Sequence, residues 1–374
     1  MKEKRNVFLK LITLSIFSLT LSAHARAPGS YSQLKSDLQK VSTRNLIEWV
    51  NTLVKVSAPS RMVGLPGHDK ARDFLTETIK TLDPKSSGAL IISSTPVEVE
   101  VIKKFYQKDF DEKVEGKIPK NNPDYQKWLR FTSYMQNLAD KKMSSPVQNI
   151  TWEKTGINSK KVLIVTAHYD TISHDKNTLM VKENEAMPGA NYNASGLAVA
   201  LGLIKTLAQI DLNYTVRVVF LDWQGIGFLG SYHYAKLLAD EKKSGKEIMG
   251  IINLDMLGQD TSFLDKTKKT GNMALYGRPA DSSLARGLLE KGSRMGTKVT
   301  FDFRPNSFEQ SDTFRFWDQN LSAVMFSQNW EEDFNPKFHQ TSQDTAETLN
   351  HETFYGAYKF VGGAVLSTLL DITR

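Results

Sequence analysis

Apolar positions along the chain recur with two different periods, and the way the two alternate predicts an α/β fold. Across residues 69–81, Ala71, Phe74, Leu75 and Ile79 return at three- and four-residue spacing, the stripe of a helix with one buried face. Short apolar runs at 90–92 and 97–101 read as strands. Beyond residue 160 the pattern becomes regular, with strands at 161–166, 216–221, 249–254, 273–276 and 323–326. Helices at 195–208, 229–238, 282–291 and 352–370 fall between and after them. Strands alternating with helices predict a three-layer α/β/α architecture, a mainly parallel mixed sheet flanked by helices. In such sheets ligands bind beyond the carboxyl ends of the strands, which is where His168, Asp222 and Asp255 fall.

Two segments stand outside this alternation. Residues 1–25 carry Lys2, Lys4 and Arg5 ahead of a mostly apolar stretch from Val7 to Leu21, then Ala23-His24-Ala25. That is the layout of a secretory signal peptide, and the stretch falls short of the ~20 apolar residues of a membrane span. Export to the periplasm or the medium is the expectation, with residues 26–374 as a single domain and no transmembrane segment once the signal is removed. Residues 102–145 hold ten Lys/Arg and six Asp/Glu, with Phe105, Tyr106, Phe110, Tyr125, Trp128, Phe131 and Tyr134 among them. Part of this spacing is helical, so the segment reads as a helical insertion near the site mouth or as a surface elaboration without a role.

Composition narrows the function classes. With no cysteine there are no disulfides, and an exported fold has to rest on its apolar core. The formal charge of +7 falls to +4 without the four basic and one acidic residue of positions 1–25. The remaining lysine pairs are scattered, which argues against a nucleic-acid partner.

The chemistry-bearing residues sit at the strand ends and turns. They are Pro59-Ser60-Arg61 with Gly64 and Gly67, His168-Tyr169-Asp170, and Gly189-Ala190 before Asn193-Ala194-Ser195-Gly196. Further along come Gly227-Phe228-Leu229-Gly230-Ser231, Asn253-Leu254-Asp255-Met256, Ser311-Asp312 and Asp344-Thr345. In this order and spacing the chain resembles the zinc aminopeptidase family of co-catalytic di-zinc exopeptidases. Glutaminyl cyclases and the non-peptidase ectodomains of transferrin receptor and nicastrin share that fold. The resemblance implies two zinc ions bridged by a carboxylate, further His and acidic ligands, and a free carboxylate as general base. His168 and Asp255 match ligands of one zinc, and Asp170 matches the acid that orients the histidine.

At the remaining positions the match fails. Tyr192 stands where the family has its bridging aspartate, and a phenol of pKa ~10 is neutral at pH 7. Two divalent ions ~3.5 Å apart repel by about 19 kcal/mol even at a generous effective dielectric, so a pair without a bridging anion does not assemble. Gln224 replaces the general base and cannot take a proton, while Gly225 replaces a ligand of the second zinc and has no side chain. The last histidine aligns with Gln340, and His339 lies one residue early, so a one-residue bulge would be needed to restore it. Asp222 reads as a solvated or helix-capping strand-end acid. His68, His174, His233 and His351 match no role in the family.

The residual ligands His168, Asp255 and His339 would hold at most one weakly bound zinc, and no other cofactor is implied. The expectation is an exported, catalytically inactive relative whose cleft binds a peptide or protein. The alternative is a metallo-aminopeptidase or glutaminyl-cyclase-like enzyme with a rewired, mono-metal site.

Overall fold

Strands form where apolar runs are continuous or alternate, and the sheet they build places the site. In the computed structural model the described residues are 29–260, 271–305, 311–332, 334 and 336–372; the expected signal peptide lies outside them. Their strands are β1 (Ala89–Thr95), β2 (Val147–Lys154), β3 (Asn158–His168), β4 (Tyr214–Leu221), β5 (Glu247–Leu254), β6 (Gly271–Gly277), β7 (Val299–Arg304) and β8 (Ala323–Gln328). They form one sheet in the order β1-β2-β4-β3-β5-β8-β6-β7. The sheet is mixed. β3 runs parallel to β4 and β5, as do β5 to β8 and β6 to β7, while the β1–β2, β2–β4 and β6–β8 pairs are antiparallel.

Helices cover both faces: α1 (Tyr31–Gln39), α2 (Thr43–Val56), α3 (Pro66–Leu82), α4 (Val99–Lys113), α5 (Pro123–Lys142), α6 (Gly196–Leu207), α7 (Leu229–Lys243), α8 (Ser282–Ser293), α9 (Thr313–Trp317) and α10 (His351–Leu369). Central β3 is covered on both sides, and Val162, Leu163, Ile164 and Val165 are all fully buried. α6 is buried almost all round, as its near-continuous apolar sequence requires. Gly202 lets α10 come close, because a Cβ there would lie 2.7 Å from the Tyr358 ring.

One expected strand is a helix. Val97, Val99 and Val101 alternate, but Ile102, Tyr106 and Phe110 recur every four residues and are the buried face of α4. That longer stripe buries more apolar surface than a three-residue alternation, so it decides the local structure. The pattern leaves α1, α2, β2, β7 and α9 unread.

Candidate functional site

β3, β4 and β5 end side by side, and their carboxyl ends deliver His168, Asp222 and Asp255 to one edge of the sheet. His168 is fully buried, with its Nδ1 3.0 Å from the Asp170 backbone carbonyl. Its Nε2 lies 3.6 Å from Asp255 Oδ1, and neither atom has a hydrogen-bond partner. The Asp170 carboxylate is not what orients this imidazole, since the closest approach to Nδ1 is 3.9 Å. Instead its two oxygens accept the backbone N–H groups of Gln224 and Gly225, each at 2.9 Å. The backbone carbonyl of Asp170 takes the orienting role expected of its side chain, and the carboxylate fixes the loop after β4.

Tyr192 sits in the turn leading into α6, and that turn is tied down on both sides. Asp344 accepts the Asn191 and Tyr192 N–H groups at 2.8 and 2.9 Å. Asn193 bridges to β5, donating to the Leu254 carbonyl and accepting from Met256 N–H. So held, the Tyr192 ring packs against two imidazoles, with centroids 4.9 Å from His168 and 5.2 Å from His339. Its hydroxyl donates to Gln224 Oε1 at 2.5 Å. Burial, with the charges of Asp170 and Asp255, pushes the phenol well above its ordinary value, so it is neutral at pH 7.

Gly225 has lost more than a ligand. A Cβ there would stand 2.9 Å from Ile172 Cβ and 3.3 Å from Asp170 Oδ2, so the space for a side chain is filled. Gly225→Glu is therefore expected to lower stability by about 1–3 kcal/mol, the usual cost of overpacking, and to confer no zinc uptake. Urea unfolding and metal analysis of that single variant check both points. A variant that is as stable as the parent and binds zinc would show that the pocket had room after all.

Asp222 is neither solvated nor a helix cap. It is fully buried and accepts from Gln148 N–H and Trp223 N–H, with His68 Nε2 2.7 Å away. Burial opposes a charge on His68, but the Asp222 carboxylate outweighs it and raises the imidazole above its ordinary value. The pair, with His68 stacked on Tyr169 at 5.1 Å, braces α3 against β4 and takes no part in the cleft.

Above the floor lies a pocket of about 420 Å³. Tyr192, Gln224, Gly225 and Asp255 line its base, and Trp330, Phe334, His339 and Gln340 line one wall. A further part of the lining is the 102–145 segment, which forms α4 and α5 and contributes Phe105, Tyr106, Asp109, Lys113, Trp128 and Phe131. Gln340 adopts φ of +53°, a left-handed turn beside His339, and both side chains face the pocket. His339 keeps an edge open to the cavity. Even so, enclosure by its neighbours, with the charges of His174, Lys176 and His168, pushes its imidazole down to about 3. Asp312 was legible as part of a Ser-Asp pair but without a role. It is buried behind His168 with neither oxygen hydrogen-bonded, the Ser231 hydroxyl donating to Phe228 O instead.

Zinc needs at least three converging side-chain donors. Among the described residues no three His, Asp or Glu side chains converge closely enough to hold a metal ion. His168 and Asp255 stand together, but His339 does not join them, and the Tyr192 ring packs against both imidazoles. The donor set does not fit zinc.

A mixed α/β/α sandwich with a histidine and an aspartate at adjacent strand ends, under an aromatic cleft, defines the architecture of a zinc exopeptidase. The family model for peptidase family M28 matches residues 149–362, and the chain belongs to that family. An aminopeptidase of Bacillus subtilis, YwaD, is 28% identical over 58% of this chain and 44% of its own length. An aminopeptidase of Pseudomonas aeruginosa is 32% identical over 41% of this chain and 27% of its own. The chain thus spans under half the length of these curated relatives. Among solved structures, the LapA aminopeptidase of Legionella pneumophila superposes with a TM-score of 0.63 at 14% identity, covering 92% of this chain and 76% of that one. Porphyromonas gingivalis glutaminyl cyclase gives 0.58 at 17%, covering 89% and 99%. Likenesses at such identities speak for the fold.

Proposed function

We propose that this chain is a catalytically inactive member of the peptidase family, exported through residues 1–25, whose cleft binds a peptide or protein segment without a metal. One observation carries the reading: the neutral Tyr192 phenol, bonded to Gln224, packs against both His168 and His339. A hydrolytic mechanism at this edge of the sheet would need an activated water, and neither Gln224 nor the phenol can take its proton at neutral pH.

What persists fits a binding role. Trp223, Phe228, Met256 and Gln340, all at or beside the pocket, hold φ between +53° and +57°. Left-handed backbone at non-glycine residues costs of order 1–3 kcal/mol each and survives where surrounding structure holds it. Buried contacts therefore still shape this rim.

The test is elemental analysis of the purified mature protein, beside a panel of aminoacyl substrates. The expected result is no stoichiometric zinc and no release of N-terminal residues. Zinc-dependent release that His168→Ala abolishes would replace this reading with a rewired aminopeptidase. The fold shared with a glutaminyl cyclase keeps a second enzymatic reading in view, cyclisation of N-terminal glutamine. Zinc-dependent stabilisation in a thermal-shift assay, with turnover of a glutaminyl peptide, would favour it.

A further inference from the structure

Aromatic rings from separate segments of the chain line the pocket. From α4 and α5, Trp128 packs edge-on to Phe131 at 5.6 Å, and Phe131 to Tyr106 at 5.8 Å. Elsewhere in the lining Trp330 stacks with Phe334 at 5.0 Å, and Tyr192 lies at the base. Ring faces carry negative quadrupole charge and attract cations.

Lys113 is paired with Asp109, and Lys176, which donates to the Pro336 carbonyl, keeps its charge but is exposed, so water screens it at the rim. Burial pushes His174 below its ordinary value, so that imidazole adds no positive charge at neutral pH. Asp255, 3% exposed, lines the base, and its buried Oδ1 has no hydrogen-bond partner, with His168 Nε2 3.6 Å away.

The kind of cation follows from counting acceptors. A primary ammonium has three N–H donors and is strongly hydrated, so on burial each needs an acceptor. Gln224 Oε1 already accepts from Tyr192, and the Gly225 carbonyl faces the Tyr106 hydroxyl at 3.5 Å. Asp255 Oδ1 is the one buried side-chain acceptor of the lining that is unpartnered among the described residues. A quaternary ammonium has no N–H to satisfy, sheds water readily, and offers methyl groups to several rings at once.

We infer that the pocket is an aromatic cage for a trimethylammonium group, with Asp255 as its counter-charge. The head group comes from a free small molecule or from a methylated side chain of a peptide. This inference rests on the metal-free reading of the cleft.

Titration calorimetry of the purified protein with EDTA present tests it. Benzyltrimethylammonium should bind saturably, at least about fivefold tighter than benzylamine, as a ~1 kcal/mol cation–π gain implies. Choline should likewise exceed its neutral isostere 3,3-dimethylbutan-1-ol. Phe131→Leu and Trp330→Leu should each weaken benzyltrimethylammonium by about fivefold while leaving unfolding cooperative, and Asp255→Asn should reduce the preference for choline over the neutral isostere.

A peptide carrying trimethyllysine distinguishes the two sources of the head group. Binding tighter than choline assigns the cage to a side chain, and binding weaker than choline to a free ligand. Benzylamine binding as tightly as the quaternary ion, equal binding of the neutral isostere, or no saturable binding would each overturn the cage. Uptake of zinc by the EDTA-free protein would instead overturn the metal-free reading, so the two failures can be told apart.

Discussion

Arg61→Leu is expected to destabilise the protein by about 4 kcal/mol or more and to empty the pocket of binding capacity. The guanidinium is fully buried and donates to four backbone carbonyls: Tyr169 at 2.9 Å, Pro188 at 2.6 Å, Gly189 at 2.8 Å and Tyr192 at 3.3 Å. It joins the end of β3 to the turn that carries Tyr192. Burial lowers its pKa to about 10, against the opposing pull of Asp344 and Asp170, and it stays charged at pH 7. A leucine would take the guanidinium donor from the Tyr169, Pro188 and Tyr192 carbonyls, while the Gly189 carbonyl keeps the Ala194 N–H; each buried acceptor left unsatisfied costs about 1–3 kcal/mol before relaxation. Urea unfolding followed by tryptophan fluorescence should show the midpoint falling by about 2 M, for a slope of 1–3 kcal/mol/M. A shift below about 0.5 M would mean that water or neighbouring groups replace the guanidinium. Arg61→Lys should fall between the two, because an ammonium has three donors and lacks the planar fork that reaches four carbonyls.

The same residue marks the boundary of what the sequence could reveal. Pro59-Ser60-Arg61 and Gly189-Ala190 were legible as separate pieces of one family pattern. That Arg61 binds the Gly189 carbonyl across 128 residues depends on tertiary packing and leaves no local signature. The sheet was readable for the opposite reason: β3 and β5 are continuous apolar runs ending in chemistry-bearing residues, a signal contained within ten residues. Substitution at Tyr192, Gln224 and Gly225 was legible because motif turns fix those positions. Their mutual consequences were not. Nothing in the chain announces that the phenol bonds to Gln224, or that Ile172 fills the space above Gly225. The pocket walls were half legible: the aromatic set of 102–145 stood out, but its pairing with Trp330 and Phe334 joins segments some 200 residues apart.

Asp312→Asn is expected to raise stability at pH 8 by about 1–3 kcal/mol, because an ionised carboxylate buried without a partner costs more than the neutral amide that replaces it. Asp312 is 1% exposed and neither oxygen is hydrogen-bonded, so burial pushes its carboxyl from 3.8 up to about 7, with the charge on His168 opposing the rise and those of Asp170 and Asp255 adding to it. Because the folded value lies above the unfolded one, the folded protein holds this proton more tightly. Its contribution to stability is complete below about pH 4 and is lost as pH rises through about 7. Asp344, raised to about 6 by burial, acts in the same direction over a lower window. His339 acts in the opposite direction: its imidazole is depressed from 6.5 to about 3, so stability falls as pH drops through that interval. The parent protein should therefore be less stable at pH 8 than at pH 6, and Asp312→Asn should reduce that decline, leaving the part owed to the raised His68 imidazole and the acid limb set by His339 in place. Unfolding free energies measured at half-unit steps from pH 4.5 to 8.5 separate the two limbs. If the variant kept the full alkaline decline, the proton would have to be assigned to another buried group, with Asp344→Asn the next to measure.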